Sequence, residues 1–284
     1  MTEIAALWSY AIKFVFYYPL FMSYLWMRGA ILFYWKERQD PPYQQPKSLE
    51  LYPKVAVLIP CFNEGDNGEE TISHALQLDY PKFEVMAIND GSSDNTGQVL
   101  DRLASQSEKL RVVHLAQNQG KAMGLQAGSL MTDAEFLIGI DGDALLDPHA
   151  AKWMMRHFLE DETVVAVTGN PRIRTRSTLL GRIQVGEFSS IVGMIKRAQR
   201  TFGRLFTVSG VITAFRKSAV HQVDYWSPNM LTEDIDITWK LQRAGWDVRF
   251  EPNALVWILM PETFNGLWKQ RLRWAMGGAQ VLIK

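Results

Sequence analysis

Short apolar runs alternate with helix-like stretches from Lys54 onward, and this alternation limits the fold more than any other feature of the chain. The first run, residues 55–59, is continuously apolar, as expected for a strand buried on both faces. Strands are predicted at residues 55–59, 84–88, 111–115 and 135–140, and helices at about 67–78, 94–107, 121–131 and 148–159. This β-α-β-α order predicts an α/β fold, with a mostly parallel, Rossmann-like sheet and flanking helices.

Three loops that leave these strands are rich in carboxylates and amides. They are Asn63-Glu64, Asn89-Asp90 and Asp141-Gly142-Asp143. In open α/β sheets, ligands bind outside the carboxyl ends of the strands. We therefore expect the three loops to converge on one ligand site.

The N-terminal segment has a different composition. Residues 14–35 form a 22-residue aromatic and apolar run that contains one charge, Arg28. As a helix it would be roughly 33 Å long, against a hydrocarbon core of about 30 Å, so we predict a transmembrane span. The charge on Arg28 leaves a buried or interfacial helix as the alternative. Lys36 and Arg38 follow the run, and the positive-inside rule then places the rest of the chain in the cytoplasm.

The prolines after this segment indicate an extended linker at residues 39–53, because Pro41, Pro42, Pro46 and Pro53 oppose helix formation. The predicted organisation is therefore a membrane segment (1–38), this linker, an α/β domain (54–262) and an amphipathic, interfacial C-terminal segment (263–284). In that last segment, Trp268, Leu272 and Met276 share one helical face with two alanines.

Composition and motifs exclude several classes of function. Thirty Lys and Arg balance thirty Asp and Glu, which argues against a nucleic-acid binder that works through bulk positive charge. The single cysteine, Cys61, excludes an intrachain disulfide and a Cys-based zinc site. The chain has no HExxH, complete P-loop or GxGxxG sequence, so zincin, ATPase and NAD-enzyme functions lose their main support.

Asp141 and Asp143 end a predicted buried strand and are separated by one glycine. Two carboxylates so placed can share a hard cation such as Mg²⁺ with water and substrate phosphate oxygens; the alternative is a solvated acidic turn. Asp90 has a similar position and can accept hydrogen bonds from a base or ribose. Alternatively, it only shapes the turn.

The acidic sequence Thr232-Glu233-Asp234 opens a predicted helix at residues 235–244. Acidic residues in a first turn commonly cap the helix and interact with its dipole, but Asp234 is also placed to act as a general base. Gln270, Arg273 and Trp274 can close the site against a sugar and a diphosphate.

Between Arg172 and Lys217 the chain has ten Lys and Arg and one acid. This excess of positive charge indicates a solvated face, a contact with anionic lipid or a phosphate-bearing ligand.

Taken together and in this order, these motifs resemble the processive family 2 glycosyltransferases with a GT-A fold. The matching motifs, over residues 54–284, are Pro60-x-x-Asn63-Glu64, Asn89-Asp90-Gly91-Ser92, Gly120-Lys121, Asp141-Gly142-Asp143, Thr232-Glu233-Asp234 and Gln270-x-x-Arg273-Trp274. Longer stretches such as HLAQNQGKA and WILMPETFNGLWKQRLRWA are similar to the bacterial branch that makes poly-β-1,6-N-acetylglucosamine.

The resemblance implies an inverting transfer of N-acetylglucosamine from UDP-GlcNAc to a growing β-1,6-linked chain, as in biofilm exopolysaccharide synthesis. It implies that Asp234 deprotonates the acceptor hydroxyl and that Asp143, with Asp141, holds Mg²⁺ or Mn²⁺. The residues that would bind substrate are Glu64, Asp90, Lys121, Asp141, Gln270, Arg273 and Trp274. Related synthases of hyaluronan, chitin or cellulose, or an inactive truncated binding module at the membrane, are the alternatives.

The resemblance also implies partners and a location. These are the lipid bilayer of the bacterial inner membrane, with the catalytic domain facing the cytoplasm, and a small accessory membrane subunit. Regulation by cyclic di-GMP is implied as well, with the basic residues 172–204 as a candidate site; no nucleic-acid partner is expected. The family carries further membrane helices after the Gln-x-x-Arg-Trp motif, so we expect the chain to be a fragment that lacks them.

Overall fold

The computed structural model describes residues 2–36 and 46–284, with side chains from residue 5 onward. The helices of this part are α1 (Thr2–Lys36), α2 (Gly68–Leu76), α3 (Thr96–Ala104), α4 (Lys121–Leu130), α5 (Ala150–Glu160), α6 (Leu179–Phe188), α7 (Lys196–Phe202), α8 (Lys217–Gln222), α9 (Glu233–Arg243) and α10 (Phe264–Ile283). A π-helical segment, Ser189–Ile195, joins α6 to α7. The strands are β1 (Val55–Cys61), β2 (Phe83–Asp90), β3 (Leu110–Leu115), β4 (Phe136–Ile140), β5 (Leu145–Leu146), β6 (Val164–Ile173), β7 (Ile212–Arg216) and β8 (Asp247–Ile258).

The strands of the described chain form one mixed sheet in the order β3-β2-β1-β4-β7-β6-β8-β5. Strand β1 pairs in parallel with β2 and β4, β2 with β3, and β6 with β8. Strand β7 runs antiparallel between β4 and β6, and β5 pairs antiparallel with β8. The sheet is therefore parallel in its first half, where the apolar runs predict strands, and mixed in its second half.

Helices cover both faces of the sheet because the central strands are apolar on both sides. In β1, Val57 and Ile59 pack with α2, α3 and α5 on one face, and Ala56 and Leu58 pack with α4 and α9 on the other. All four side chains are fully buried. Burying an aliphatic side chain of this kind stabilises a fold by about 1.5–3 kcal/mol. Two cores thus hold the sheet, and with it the loops at its carboxyl edge.

The predicted transmembrane span at residues 14–35 is wrong. The segment is helical within α1, but none of the helices in residues 2–36 and 46–284 combines the length and the apolarity needed to cross a membrane. The length rule is met, but the tyrosines, the tryptophans, Ser23 and the charged Arg28 lower the hydropathy of the run. The second half of α1 packs on α7 instead, where Gly29 is buried and its carbonyl accepts a 3.1 Å hydrogen bond from Thr201.

The predicted linker lies partly outside the described residues, since residues 39–45, with Pro41 and Pro42, are not among them. Residues 46–54 form no regular element. They are fastened to the domain by Tyr52, whose ring lies 5.4 Å from that of Tyr80, and Tyr80 donates a 2.9 Å hydrogen bond to the Pro53 carbonyl.

The predicted C-terminal amphipathic segment is helix α10. The hydroxyl of Thr263 caps it by accepting a 3.2 Å hydrogen bond from the backbone N–H of Gly266. Its apolar face is exposed: Trp268, Leu272 and Met276 are 61%, 48% and 53% accessible. The opposite face of α10 lies on the domain and brings the Gln270–Trp274 segment to the carboxyl edge of the sheet.

Candidate active site

The loops after β1 and β2 brace each other at the carboxyl edge of the sheet. Asn63 has a left-handed backbone (φ 56°), and its side-chain oxygen accepts a 2.9 Å hydrogen bond from the backbone N–H of Ser93. In return, Ser92 accepts a 3.0 Å hydrogen bond from the Asn63 backbone, and Thr96 accepts one of 2.8 Å from Glu64. The Asn-Glu and Asn-Asp motifs therefore form one rigid rim.

Asp90 holds the start of α4 in place. Its two carboxylate oxygens accept 2.8 Å hydrogen bonds from the backbone N–H groups of Gln119 and Gly120, and the residue is 2% exposed. The neighbouring Gly91 has φ 64°, and a Cβ there would lie 2.4 Å from the Gln117 backbone, so only glycine fits. Contact of Asp90 with a uridine stays a prediction.

The Asp141-Gly142-Asp143 turn and Glu64 form an acidic corner beside the rim. Burial raises the pKa of Asp143, and the charge of Asp141 raises it further. Burial likewise raises the pKa of Glu64, with Asp143 and Asp141 adding to the shift. Negative charge is thus concentrated at the end of β4, where a cation would relieve it.

Two carboxylates, Asp141 and Asp143, are the protein ligands that this corner offers. The described residues contain no group of three or more His, Cys, Asp and Glu that could hold a metal ion by itself. Within the described part of the chain, Asp143 forms no ion pair at 4.0 Å or less, so its carboxylate oxygens are available to bind a cation. Two carboxylates completed by phosphate oxygens and water are a donor set that Mg²⁺ accepts, so the residues present fit a hard divalent cation.

Lys121, the first residue of α4, connects this corner to the start of α9. Its ammonium donates a hydrogen bond to Asp141 and another, of 2.9 Å, to the Gly210 carbonyl, and it lies 3.5 Å from Glu233. Burial lowers the pKa of Lys121, but the carboxylates outweigh burial and the pKa lies above its usual value. Lys121 is therefore a permanent cation within a cluster of acids.

Asp234 lies one residue into α9 and faces the same space. Its carboxylate accepts a 3.2 Å hydrogen bond from the backbone N–H of Gly210, the residue whose carbonyl binds Lys121. Burial raises the pKa of Asp234 and Glu233 raises it further, whereas Lys121 lowers it. An aspartate with a raised pKa is a better proton acceptor than an ordinary one.

The loop before β7 is fixed by side chains of the sheet and of α9. The backbone N–H of Val208 donates a 3.0 Å hydrogen bond to Thr238, and that of Ser209 donates one of 2.8 Å to Thr168. Thr168 and Thr238 are both fully buried. Gly210 is therefore held in a defined position between Lys121 and Asp234.

Helix α10 closes the other side. Arg271 forms a 2.5 Å ion pair with Glu187, and its guanidinium lies 4.3 Å from the ring centre of Trp274. The side-chain oxygen of Gln270 is buried and has no hydrogen-bond partner among the described residues. It is therefore available to a ligand, and Arg273 lies next to it in the wall.

These groups enclose one cleft of about 510 Å³. The residues predicted from sequence that line it are Lys121, Asp141, Asp143, Asp234, Gln270, Arg273 and Trp274. Glu64 and Asp90 do not line it: Glu64 lies near Asp141 and Asp143 in the acidic corner, and Asp90 binds the backbone just before Lys121. The structure thus brings the predicted site residues to one edge of the molecule, although their individual roles stay predictions.

Sequence reasoning missed four charged lining residues: Arg271, Glu187, Lys196 and Glu233. Arg271 lies inside the motif that was singled out, but its pairing with Glu187, 84 positions away, has no local signal. Lys196 is the one member of the basic segment that lines this cleft within the described chain. Other members are paired elsewhere: Arg174 bonds to Glu70, and Arg216 to Glu135.

The chain is similar to known proteins over most of its length. Residues 53–277 match the family described as glycosyltransferase like family 2. Over 274 residues, or 96% of this chain, it is 42% identical to a poly-β-1,6-N-acetyl-D-glucosamine synthase of Staphylococcus aureus strain MSSA476 and 41% identical to that of Staphylococcus epidermidis. The chain spans 66% of the length of each of these relatives.

A solved structure shows a similar fold. It is a mannosyltransferase from Pyrobaculum calidifontis in complex with GDP-Man and Mn²⁺, with a TM-score of 0.67 and 22% identity. The match covers 90% of this chain and 71% of that one. The mixed sheet with flanking helices is therefore an architecture that is known in a nucleotide-sugar enzyme.

Proposed function

This chain belongs to glycosyltransferase family 2, and on that premise we propose that it is a glycosyltransferase that transfers N-acetylglucosamine from UDP-GlcNAc to a β-1,6-linked acceptor chain. The similarity to the staphylococcal synthases over 96% of the chain supports this choice of sugar and linkage. The observation that carries the proposal is the cleft itself, in which Asp234 and Lys121 bind the two sides of Gly210.

The diphosphate of the donor binds at the acidic corner in this proposal. When bound, a divalent cation held by Asp143 and Asp141 would neutralise the diphosphate and stabilise UDP as a leaving group. Lys121 and Arg273 supply positive charge in the same cleft, where negative charge develops as the glycosidic bond breaks. Mg²⁺ and Mn²⁺ both suit this donor set, and the Mn²⁺ in the mannosyltransferase complex supports a divalent cation of this kind.

Asp234 takes the proton from the acceptor hydroxyl. Its raised pKa suits a general base, and the backbone N–H of Gly210 holds its carboxylate in orientation. A single displacement at the anomeric carbon then inverts the centre and converts an α-linked donor into a β-linked product. Cys61 does not offer a covalent route, because it is fully buried and burial raises the pKa of its thiol to about 12.

The acceptor sugar lies against Trp274 in this proposal. An indole ring offers the flat apolar surface on which sugar rings stack, and the guanidinium of Arg271 holds the ring from one side. The unpartnered oxygen of Gln270 accepts a hydrogen bond from a sugar hydroxyl.

We also propose that the chain works at the cytoplasmic face of the bacterial inner membrane. The exposed Trp268, Leu272 and Met276 of α10 support this location, since such a face binds lipid interfaces. Flotation of the full chain with anionic vesicles tests it, and failure to float would contradict it. The accessory subunit and cyclic di-GMP stay predictions.

The activity is tested by UDP release from UDP-GlcNAc with Mg²⁺ or Mn²⁺, followed by digestion of the product with linkage-specific hydrolases. We expect UDP release that depends on the cation, and a product cleaved by a β-1,6-specific enzyme but resistant to chitinase and cellulase. A chitinase-, hyaluronidase- or cellulase-sensitive product would identify a sister synthase instead. UDP binding without turnover would identify an inactive binding module.

A further inference from the structure

Lys196 is a buried cation in the wall of the cleft that the proposed mechanism does not use. It is the first residue of α7, directly after the π-helical segment, and is 7% exposed. Its ammonium donates a hydrogen bond to the backbone carbonyl of Thr207. Thr207 also lines the cleft and begins the loop that leads to Gly210.

This ammonium lacks a charged partner. Within residues 2–36 and 46–284, no carboxylate forms an ion pair with Lys196 at 4.0 Å or less. Burial lowers the pKa of Lys196 to about 8, and the charge of Asp234 raises it only in part. An ammonium has three N–H donors, and Thr207 accepts one of them. A buried donor left without a partner is costly, so the site is suited to a ligand that brings an acceptor oxygen.

The neighbours of Lys196 limit what that ligand is. Ile191 and Val192, which precede Lys196 by five and four positions in the π-helical segment, also line the cleft and are apolar. The lining as a whole contains five acids and four bases: Asp141, Asp143, Glu187, Glu233 and Asp234 against Lys121, Lys196, Arg271 and Arg273. With the diphosphate already assigned to the acidic corner, this surplus of carboxylates disfavours a second anion at Lys196. A neutral oxygen next to an apolar group fits better.

We propose that Lys196, Ile191 and Val192 bind the acetamido group of the acceptor sugar. The ammonium donates to the acetamide carbonyl, and the two aliphatic side chains contact the acetamide methyl. The acceptor rather than the donor is assigned because Lys196 binds the same loop as Asp234, the proposed base: Lys196 donates to the Thr207 carbonyl, and Asp234 accepts a hydrogen bond from the backbone N–H of Gly210. The inference rests on the proposed function and adds a residue that selects N-acetylated over unsubstituted acceptors.

The test is equilibrium binding of two acceptors to the full chain, measured by calorimetry with UDP and Mn²⁺ present. The probes are a β-1,6-linked trisaccharide of N-acetylglucosamine and the matching trisaccharide of glucose, which lacks the acetamide. We expect the wild type to prefer the N-acetylated sugar. Lys196→Met should weaken its binding by about tenfold or more, the effect of one hydrogen bond from a charged donor. Binding of the glucose sugar and of UDP should stay within twofold.

Lys217→Met is the matched control, because Lys217 also donates to a threonine carbonyl, that of Thr132, but does not line the cleft. It should lose stability without any change in sugar preference. Lys196→Gln is the second variant, since an amide can keep the bond to Thr207 while removing the charge, and it should also reduce the preference.

Two results would overturn the assignment: no preference in the wild type, or equal weakening of both sugars in the Lys196 variants, which would make Lys196 a structural tie only. A wild type that prefers the N-acetylated sugar but releases no UDP from UDP-GlcNAc would refute the proposed function and leave the role of Lys196 intact. Turnover without any sugar preference would refute the role of Lys196 alone.

Discussion

Asp234 and Asp236 are two positions apart at the start of α9 and have different surroundings. Asp234 lines the cleft, whereas Asp236 is 3% exposed and accepts hydrogen bonds from Ser227 (2.6 Å) and Lys284 (2.9 Å). Asparagine at position 234 keeps the shape of the side chain but cannot take a proton. We therefore expect Asp234→Asn to slow transfer by about 10²- to 10⁴-fold, the usual contribution of a general base, with UDP affinity unchanged. UDP release and calorimetry measure the two quantities.

Asp236→Asn is the control for this substitution. It removes the charge that pairs with Lys284, so we expect a lower unfolding temperature, but turnover within a few-fold of the wild type because the residue does not line the cleft. Equal losses of activity in the two variants would show that a general disturbance of α9, rather than loss of a base, explains the effect at Asp234.

At the scale of elements, α10 reaches the cleft because a glycine lets it approach α9 closely. A Cβ added to Gly277 would lie 2.4 Å from the Cγ2 atom of Thr232, whereas one added to Gly278 would meet nothing within 4 Å. Gly277→Ala must therefore displace α10, which carries Gln270 and Arg273. We expect a 10- to 100-fold loss of kcat/KM, because misplacement of positioning groups by about 1 Å has effects of this size.

Gly278→Ala is the control for Gly277→Ala, because it makes the same substitution at the next position of α10. Alanine is favoured over glycine within a helix by about 1 kcal/mol, so this variant should unfold at the same or a higher temperature and keep its activity. In Gly277→Ala the close contact should instead lower the unfolding temperature, since overpacking costs typically about 1–3 kcal/mol. If kcat/KM were unchanged in Gly277→Ala, the close packing of α10 on Thr232 would not determine the position of the cleft residues on α10.

The elements also show why sequence predicts one half of the sheet better than the other. The apolar runs of β1, β2 and β4 carry their own signal, because those strands are buried on both faces. Strands β6 and β8 contain prolines and asparagines, and their neighbour β7 is inserted antiparallel between β4 and β6. That order depends on pairing between distant segments. The wrong prediction of a transmembrane span in α1 has another source. The length and aromatic content of residues 14–35 suit a span, but the polar atoms of the tyrosines and tryptophans lower the hydropathy of the run.

The same contrast applies to the site. Asp141, Asp143 and Asp234 could be predicted as cleft residues because each lies within three residues of the end of β4 or the start of α9, where the local sequence pattern is informative. Lys196 was not found, because a lysine in a mixed helical stretch has no local mark of burial. The position of Lys196 in the cleft, and its hydrogen bond to the Thr207 carbonyl, follow from the folded structure and have no signal in the local sequence.

At the scale of the whole molecule, the two edges of the sheet have separate tasks. The carboxyl edge carries the cleft, and the amino edge carries a cluster of charges around the buried Glu84, the second residue of β2. Lys54 lies 3.1 Å and Arg111 3.5 Å from its carboxylate, and Thr132 donates a hydrogen bond to it. Burial raises the pKa of Glu84, but these partners outweigh burial, and the pKa lies below its usual value.

This division predicts opposite outcomes for substitutions at the two edges. Glu84→Gln should lower the free energy of unfolding at pH 7 by about 1 kcal/mol or more, because the charged partners lose their acceptor. Since folding lowers the pKa of Glu84, its stabilising effect is complete above the unfolded pKa of about 4.3 and disappears as the pH falls through the lower folded value. The difference from the wild type should therefore shrink as the pH falls below about 4.3, as denaturant titrations can measure, while UDP and Mn²⁺ still raise the unfolding temperature. Asp143→Asn should do the reverse: higher stability without ligand, because burial and Asp141 disfavour the charge of Asp143, but no gain from UDP that depends on the cation. If Glu84→Gln abolished the ligand effect as strongly as Asp143→Asn, the two edges would be coupled and the division would be wrong.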